Sequence, residues 1–417
     1  MFAHELNSYY SNNNTIKMML LNKYYHEQCT INKICHRICQ KKLYNKKIKN
    51  ISSHKTKNGI KNIDHLYKLK ELNIKYISKI DYYDLKKLSK IVKLNCFNNK
   101  VKNINCLYNL KVLSFSCMSE IDQNSIKRLT KLVELCCNHN NKIKNLNHLC
   151  KLKNLSCMNS SGVDQNAIKK LNKIVKLKCG GNKKIFNINH LINLKELHCN
   201  GYSNIDDNSI KKLTKIVKLE CNLNEKITDI NHLCKLKELY CSRDSGIDQN
   251  GIKFLTKIVK LDCNYNEKLT DVTYLTNLKE LICYGKSGID QNGIKNLTGI
   301  IKLDCVNNKK ITDVTYLTNL KELICYGKSG IDQNGIKNLT RIIKLYCDNN
   351  EKISDVNHLH NMTELSCTKN SGIDQNGIKY LTKLTKLVCY ENEKIIDVNH
   401  LCNLKELWCS HINFDKK

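Results

Sequence analysis

The residue types in this chain that could do chemistry are its 24 cysteines and 14 histidines. Thiols can pair as disulfides, ligate zinc or act as nucleophiles, and imidazoles can ligate metals or carry protons. Five histidines recur in an Asn-His-Leu triplet, namely His148, His190, His232, His358 and His400. Successive copies are at least two repeat units apart, or about 10 Å of stacking, which is too far for shared metal ligation at about 2.1 Å per bond. We therefore expect these histidines to be loop residues.

A second group of candidate ligands lies near the N-terminus. It consists of Cys29, Cys35, His36 and Cys39, but their Cys-x5-Cys-His-x2-Cys spacing matches no strong zinc motif. The sequence also shows no nucleophile with its base, no phosphate-cradling glycine loop and no paired-carboxylate site. A repeating chain offers many equivalent surfaces in place of one singular pocket. We therefore predict a protein that is not an enzyme and that holds neither a cofactor nor a metal.

Most of the cysteines occupy one fixed position of an internal repeat. The period is 42 residues, and it is marked by Leu135, Leu177, Leu219, Leu261, Leu303, Leu345 and Leu387. Each period contains a short unit of about 20 residues and a long unit of about 22 residues. The short unit is built on Ile-x-x-Leu-x-Cys-x-x-Asn, and the long unit on Leu-x-x-Leu-x-Cys followed by Ile-Asp-Gln-Asn. Self-similarity at a fixed period predicts a stacked array.

The repeated cysteine position is predicted to face the interior. Phe115 and Ile74 hold it in two early units, so it requires an apolar side chain, and a free cysteine behaves as a small hydrophobe. Met1–Ser8 lacks the features of a signal peptide, and no apolar stretch approaches the roughly 20 residues that span a bilayer. We therefore expect reduced thiols and an intracellular protein. The cysteines at this position are Cys96, Cys137, Cys157, Cys179, Cys199, Cys221, Cys241, Cys263, Cys283, Cys305, Cys325, Cys347, Cys367, Cys389 and Cys409.

From about residue 43 to its end, the chain resembles leucine-rich-repeat proteins, whose signature is Leu-x-x-Leu-x-Leu-x-x-Asn. The short unit, with Lys-Ile-Thr-Asp-Val, resembles the bacterial internalin type, and the long unit resembles the cysteine-containing type found behind F-boxes. The resemblance implies an α/β solenoid of about 16 units over residues 43–417. Its parallel β-sheet would form the concave face, with short helices and turns on the convex face. It also implies that the asparagine of each short unit turns inward, which gives an asparagine ladder in every second unit.

Residues 1–42 do not repeat and are predicted to form a small helical cap over the first unit. Their segment 15–25 resembles the central helix of an F-box, with Leu20, Leu21, Asn22 and Lys23 at its core, although the opening Leu-Pro of that family is missing. This resemblance implies an adaptor that presents a bound target to a cullin-type ubiquitin ligase through the linker protein of the ligase. The Lys/Asn/Ile-rich sequence also resembles repeat proteins of giant DNA viruses of amoebae. This resemblance implies that the protein is located in the host cytoplasm.

The strands are expected to expose a patterned surface, because side chains alternate between the two faces of a strand. From Lys176 onward, the residue before the strand leucine is Lys in short units and Glu in long units, up to Lys386 and Glu406, which predicts a row of alternating charges. Beside this row, nine apolar or aromatic residues of the later strands are expected to bind a protein partner. They are Tyr240, Ile282, Tyr284, Ile324, Tyr326, Tyr346, Val388, Tyr390 and Trp408.

The formal charge of +32 leaves alternatives open. AT-rich coding would account for abundant Lys, Asn and Ile without any function. Lys-rich faces could instead bind nucleic acid or another acidic surface, and an uncapped last strand could pair end to end with a second copy in a self-assembling structural protein. The principal prediction is a non-catalytic protein–protein interaction scaffold that binds its partner on the concave face and has no membrane contact.

Overall fold

The computed structural model describes residues 50–52, 69–74, 82–97, 101–116, 119–410 and 412, and these form two compact units. Unit 1 contains the described residues up to Lys153 together with Ser160–Val163. Unit 2 contains Asn154–Asn159 and the described residues from Asp164 onward. The predicted helical cap of residues 1–42, including Leu20, Leu21, Asn22 and Lys23, lies outside the described residues.

Unit 1 is a parallel sheet with helical turns on its other side. Its described strands are β1 (Asn50–Ser52), β2 (Glu71–Asn73), β3 (Lys93–Asn95), β4 (Val112–Phe115) and β5 (Glu134–Cys137). Each strand pairs in parallel with the next along the chain. Two short helices follow strands, namely α1 (Tyr82–Lys86) and α2 (Gln123–Ile126).

Unit 2 repeats the same arrangement over thirteen described strands, which pair in parallel in chain order. They are β6 (Asn154–Ser156), β7 (Lys176–Lys178), β8 (Glu196–His198), β9 (Lys218–Glu220), β10 (Glu238–Tyr240), β11 (Lys260–Asp262), β12 (Glu280–Ile282), β13 (Lys302–Asp304), β14 (Glu322–Ile324), β15 (Lys344–Tyr346), β16 (Glu364–Ser366), β17 (Lys386–Val388) and β18 (Glu406–Trp408). The strand leucines stand in register, for example Leu281 opposite Leu303 and Leu303 opposite Leu323.

The predicted inward position of the cysteines is confirmed. Fourteen of the fifteen are buried, and Phe115 and Ile74 are buried in the same position, while Cys409 of the last described strand is half-buried. Burial raises the pKa of the Cys305 thiol to about 12, and it raises the pKa of the Cys221 and Cys263 thiols in the same way. These thiols therefore stay protonated and unreactive at neutral pH, and they pack as small apolar groups.

The asparagine of each short unit holds the turn that follows its strand. Asn308 is buried, and its Nδ2 donates to the carbonyls of Cys283 at 2.9 Å and Ile289 at 3.0 Å in the preceding unit. Its Oδ1 accepts from the amide of Lys310 at 3.0 Å. The predicted ladder in every second unit is confirmed by the buried set Asn140, Asn182, Asn224, Asn266, Asn308, Asn350 and Asn392.

In the long units a buried serine, and not an asparagine, holds the turn that follows the strand. The sequence interpretation missed this serine. Ser287 Oγ accepts from the amide of Ile289 at 3.4 Å and lies 4.0 Å from Cys263 Sγ. The only sequence signal is its fixed place two residues before an Ile-Asp pair. The equivalent buried serines are Ser119, Ser161, Ser203, Ser245, Ser287, Ser329 and Ser371.

The side of each long unit opposite the sheet carries a helical turn, as predicted. Asp332 Oδ1 accepts from the amide of Gly335 at 3.0 Å and so caps α4 (Gln333–Ile336), and Asp206 caps α3 (Asp207–Ile210) in the same way. In the other long units of unit 2 the segment tightens to a 3₁₀ turn, and these turns are Asn166–Ile168, Asn250–Ile252, Asn292–Ile294 and Asn376–Ile378. Short units have only hydrogen-bonded turns there.

The glutamine after the capping aspartate clamps one unit to the next. Gln291 Oε1 accepts from the amides of Thr312 and Asp313, at 3.0 and 2.9 Å, and its Nε2 donates to the Asp313 carbonyl at 2.7 Å. Gln165, Gln249, Gln333 and Gln375 make the same contacts. Turn, ladder and clamp together satisfy loop backbone groups that stacking would otherwise leave unpaired.

Replacing Asn308 with Ala tests the ladder. The variant loses three hydrogen bonds and leaves buried carbonyls unpaired, and each such group costs about 1–3 kcal/mol. Urea unfolding should therefore show a free energy of unfolding lower by at least about 2 kcal/mol. The control is Asn296→Ala at an exposed position, which should stay within about 0.5 kcal/mol of the parent. Equal stabilities for the two variants would contradict the role of the ladder.

Candidate protein-binding surface

The side of unit 2 opposite the buried leucines and cysteines is a sheet surface made of three rows of side chains, here called the sheet face. Row 1 holds the residue before each strand leucine, row 2 the residue after it, and row 3 the residue after the cysteine. These positions point away from the core because side chains alternate along a strand. In the paired strands β12 and β13 the rows contain Glu280 and Lys302, Ile282 and Asp304, and Tyr284 and Val306.

Row 1 forms the predicted series of opposite charges. Each lysine pairs with the glutamate of the following strand, at N–O distances from 2.5 to 3.5 Å. The pairs are Lys176–Glu196, Lys218–Glu238, Lys260–Glu280, Lys302–Glu322, Lys344–Glu364 and Lys386–Glu406. These side chains are partly exposed, so each pair adds little stability, but the row is neutral and fixes the register.

A compact polar cluster occupies the face at β8 and β9. His198 is only 6% exposed, and its Nδ1 lies 2.5 Å from Glu220 Oε2. Lys218 Nζ lies 3.2 Å from both Glu220 Oε1 and Glu238 Oε2. Burial raises the pKa of Glu220, but the hydrogen bonds and charges of His198 and Lys218 outweigh it and bring that pKa to about 2. Glu220 therefore stays ionised and holds these neighbours in place.

All nine residues expected to bind a partner lie on the sheet face. Six are in row 2, namely Tyr240, Ile282, Ile324, Tyr346, Val388 and Trp408, and three are in row 3, namely Tyr284, Tyr326 and Tyr390. Most are half-buried, whereas Tyr326, Tyr390 and Trp408 are exposed, Trp408 at 63%.

The register divides these nine residues into two patches. The first contains Tyr240 of β10 at its edge and is centred on Ile282, Tyr284, Ile324, Tyr326 and Tyr346 of β12, β14 and β15. The second consists of Val388, Tyr390 and Trp408. Between them lies a polar strip on β16, where Ser366 Oγ donates to Asp348 Oδ1 at 2.6 Å.

The sequence interpretation overlooked Tyr265, which extends the first patch. Its ring is 44% exposed and packs edge-on against Tyr284, with ring centroids 5.4 Å apart. The position two residues after the cysteine has a left-handed backbone in unit after unit, and φ is 54° at Tyr265 and 70° at Gly285. Glycine or asparagine suits this conformation, while a tyrosine there is strained, and such strain concentrates at functional sites.

Two carboxylates were also overlooked. Asp262 stands in register between Tyr240 and Ile282, and Asp304 stands between Ile282 and Ile324. Burial raises the pKa of both carboxyl groups above the ordinary aspartate range. The first patch is therefore mixed, with acidic groups set between apolar ones.

The remaining candidates for chemistry lie elsewhere. The repeated histidines sit in loops, where Nε2 of His358 is 3.0 Å from the Ile336 carbonyl, and His148, His190, His232 and His400 make equivalent contacts. Cys29, Cys35, His36 and Cys39 lie outside the described residues. Within the described part of the chain, no three His, Cys, Asp or Glu side chains are grouped to hold a metal ion. No helix among the same residues is long and apolar enough to cross a bilayer.

The stacked parallel strands, the buried leucine and cysteine columns and the asparagine ladder define a leucine-rich-repeat solenoid. Among solved structures, the chain is similar to the functional domain of InlJ from Listeria monocytogenes, described as including a cysteine ladder. The identity is 20%, the match covers 82% of this chain and 72% of that chain, and the TM-score is 0.50. At this identity the likeness shows the fold alone.

Two further solved structures resemble the chain. One is an internalin, inlF, from Listeria monocytogenes, with 21% identity, 79% of this chain and 90% of that chain covered, and a TM-score of 0.46. The other is a leucine-rich-repeat protein of Leptospira interrogans, with 18% identity, 87% and 91% covered, and a TM-score of 0.43. No protein-family model and no curated relative matches the chain.

Replacing Glu220 with Gln tests the polar cluster through pH. The native pKa of Glu220 is lowered, so its stabilisation is complete above the unfolded value near 4.5 and disappears as the pH falls towards 2. Urea unfolding at pH 6 should show the variant less stable by about 1–3 kcal/mol, and the difference should shrink by pH 3. The exposed Glu225→Gln serves as control and should show no such narrowing. A difference in unfolding free energy between the parent and Glu220→Gln that stays constant from pH 6 to pH 3 would contradict the assigned contacts.

Proposed function

We propose that the protein is a non-catalytic scaffold that binds a partner protein on the sheet face of unit 2. The observation that supports this most is the first patch, where Ile282, Tyr284, Ile324, Tyr326 and Tyr346 share one side of a sheet. Exposed aromatic side chains on a rigid surface are the usual composition of a binding hot spot. The ladder and clamp behind the sheet fix the backbone, so little conformational entropy would be lost when a partner binds.

The residues of the sheet face suit recognition better than catalysis. The row 1 lysines and glutamates are engaged with each other, and Glu220 is held ionised by its contacts with His198 and Lys218. The buried thiols are protonated and face the core. The chemistry left at the surface is apolar contact, hydrogen bonding and charge pairing, as a protein interface needs.

The partner bound on this face would be presented to a cullin-type ubiquitin ligase. The support is the F-box-like segment around Leu20, Leu21, Asn22 and Lys23, which would contact the linker protein of the ligase. Such a role requires an intracellular protein, and thiols that are not joined in disulfides, such as those of Cys263, Cys283 and Cys305, are consistent with a reducing compartment.

A second candidate function is supported by lysines on the side opposite the sheet. Six exposed lysines follow the helical turns of successive long units, namely Lys169, Lys211, Lys253, Lys295, Lys337 and Lys379. Successive members are 42 residues apart in the sequence, so one lysine recurs in every second unit of the stack. The row 1 ion pairs use other lysines, so this row is open to an acidic surface or a nucleic acid backbone.

Affinity capture with matched variants tests the scaffold. The double change Tyr284→Ala/Tyr326→Ala should abolish capture of the partner, because it removes the centre of the first patch. The control Phe254→Ala/Tyr380→Ala removes two exposed aromatics from the helical side and should capture as the parent does. A chain without residues 1–42 should keep the partner and lose only ligase components. Undiminished capture by the Tyr284/Tyr326 variant would refute binding at this face.

The second candidate makes a separate prediction about salt. Binding of the chain to duplex DNA through the lysine row should weaken by orders of magnitude between about 50 and 200 mM salt. Lys211→Gln/Lys253→Gln/Lys295→Gln should reduce both the affinity and the salt slope in an electrophoretic or anisotropy assay. An affinity that salt and these substitutions leave unchanged would dismiss a nucleic acid function.

A further inference from the structure

The first patch is acidic in a chain that is strongly basic. On the sheet face of β10–β15, six carboxylates stand against three ammonium groups, a net formal charge of −3, while the whole chain carries +32. The carboxylates are Glu238, Asp262, Glu280, Asp304, Glu322 and Asp348, and the ammonium groups are Lys260, Lys302 and Lys344. Rows 2 and 3 of these strands contain no lysine, although lysine is abundant in the rest of the chain.

Two of these carboxylates have no ion-pair partner of their own, although the charges of Lys260 and Lys302 offset part of the effect of burial on their pKa. Lys260 and Lys302 are engaged with Glu280 and Glu322, and neither Asp262 nor Asp304 forms an ion pair with a described residue. Asp262 Oδ1 accepts from the side-chain Nδ2 of Asn264 at 2.5 Å and from the Asn264 backbone amide at 3.3 Å. Asp304 Oδ1 accepts a long bond of 3.4 Å from the Val306 backbone amide. Both can therefore still accept hydrogen bonds from a ligand.

The positions of Asp262 and Asp304 lower the folding stability of the unliganded protein. Each is half-buried between apolar neighbours, and burial raises its pKa. A partly desolvated carboxylate of this kind disfavours the folded state at neutral pH unless a cation approaches it. Perturbed groups in such a setting concentrate at functional sites, where stability is given up for binding.

The distance between Asp262 and Asp304 limits which peptide conformation could place a cation at each of them. Asp262 and Asp304 are two strands apart, which is about 9.6 Å. Three residues of an extended polyproline II segment span about 9.3 Å, whereas two residues of a β-strand span only about 6.6 Å. A polyproline II segment lying across the strands would thus place every third side chain at one of these aspartates.

Building on the proposed scaffold function, we propose that the partner contributes an extended segment with Arg or Lys at every third residue and apolar side chains between. Its cations pair with Asp262 and Asp304, and its apolar side chains pack on Ile282, Ile324 and the rings of row 3. The guanidinium group suits the first contact because its planar fork matches a carboxylate. An acidic or phosphate-bearing partner is repelled from this surface.

A synthetic peptide tests the proposal directly. The probe is a fluorescein-labelled repeat of Arg-Leu-Pro, about twelve residues long, in which proline favours the polyproline II conformation. Fluorescence anisotropy at about 0.15 M salt should show saturable binding to the full chain. The matched peptide with Glu in place of Arg should not bind. A peptide of the same composition, with its Arg residues grouped at alternate positions towards one end, should bind more weakly.

Substitutions in the protein complete the test. Asp262→Asn/Asp304→Asn keeps the shape of both side chains and should weaken the peptide at least about tenfold. Its melting temperature should equal or exceed that of the parent, so a loss of binding cannot be ascribed to unfolding. The control Asp244→Asn removes one exposed carboxylate outside the three rows and should leave binding unchanged. Equal peptide affinities for the parent and the Asp262/Asp304 variant would overturn the proposal.

The same variants separate this proposal from the scaffold function. If Tyr284→Ala/Tyr326→Ala abolishes capture of the natural partner while Asp262→Asn/Asp304→Asn retains it, the scaffold stands and the basic segment is refuted. If both variants lose the partner and the second also loses the peptide, both proposals are supported. If neither variant affects capture, both fail.

Discussion

The structure depends on one constraint, which is that no unit can bury its own leucine and cysteine or satisfy its own turn. Strands stack at about 4.8 Å, so each inward side chain is covered by the equivalent residue of its neighbours. Asn308 extends the same dependence to hydrogen bonding, since it donates to Cys283 and Ile289 of the preceding unit. A thiol fits the inward position because it is small, weakly polar and, with its pKa raised by burial, protonated.

Because short and long units alternate, the sheet side and the opposite side of the stack each have a regular pattern of residues. Short units contribute the buried asparagine and the row 1 lysine, whereas long units contribute the buried serine, the helical turn and the row 1 glutamate. From β7 to β18 of unit 2, the core positions and the alternating Lys and Glu of row 1 repeat almost unchanged, whereas the residues of rows 2 and 3 differ from strand to strand. In the proposed scaffold, specificity for the partner would be encoded in those two rows, where Asp262, Ile282 and Asp304 follow one another.

Much of the fold could be predicted from the sequence, because the 42-residue repeat period and the alternation of apolar and polar residues within each strand determine it. The inward place of Leu303 and Cys305, the turn role of Asn308 and the Lys302–Glu322 pair follow from strand alternation and stacking. The serine ladder and the Gln291 clamp could not be predicted, since each needs the exact distance between one loop and the next. The proposed binding surface was only partly predictable. Selection by hydrophobicity found Ile282 and Tyr284, but the value of Asp262 and the strain at Tyr265 appear only once the register and the backbone angles are known.

The central claim is that the cysteine column is the dry interior of the solenoid, and a count of accessible thiols tests it most directly. A bulky maleimide is added to the native protein, and the modified residues are mapped by peptide mass spectrometry. The account predicts rapid modification of the exposed Cys150, Cys234 and Cys402, with the fourteen buried cysteines modified only after denaturation. Prompt modification of Cys263, Cys305 and the rest of that column in the native protein would contradict it.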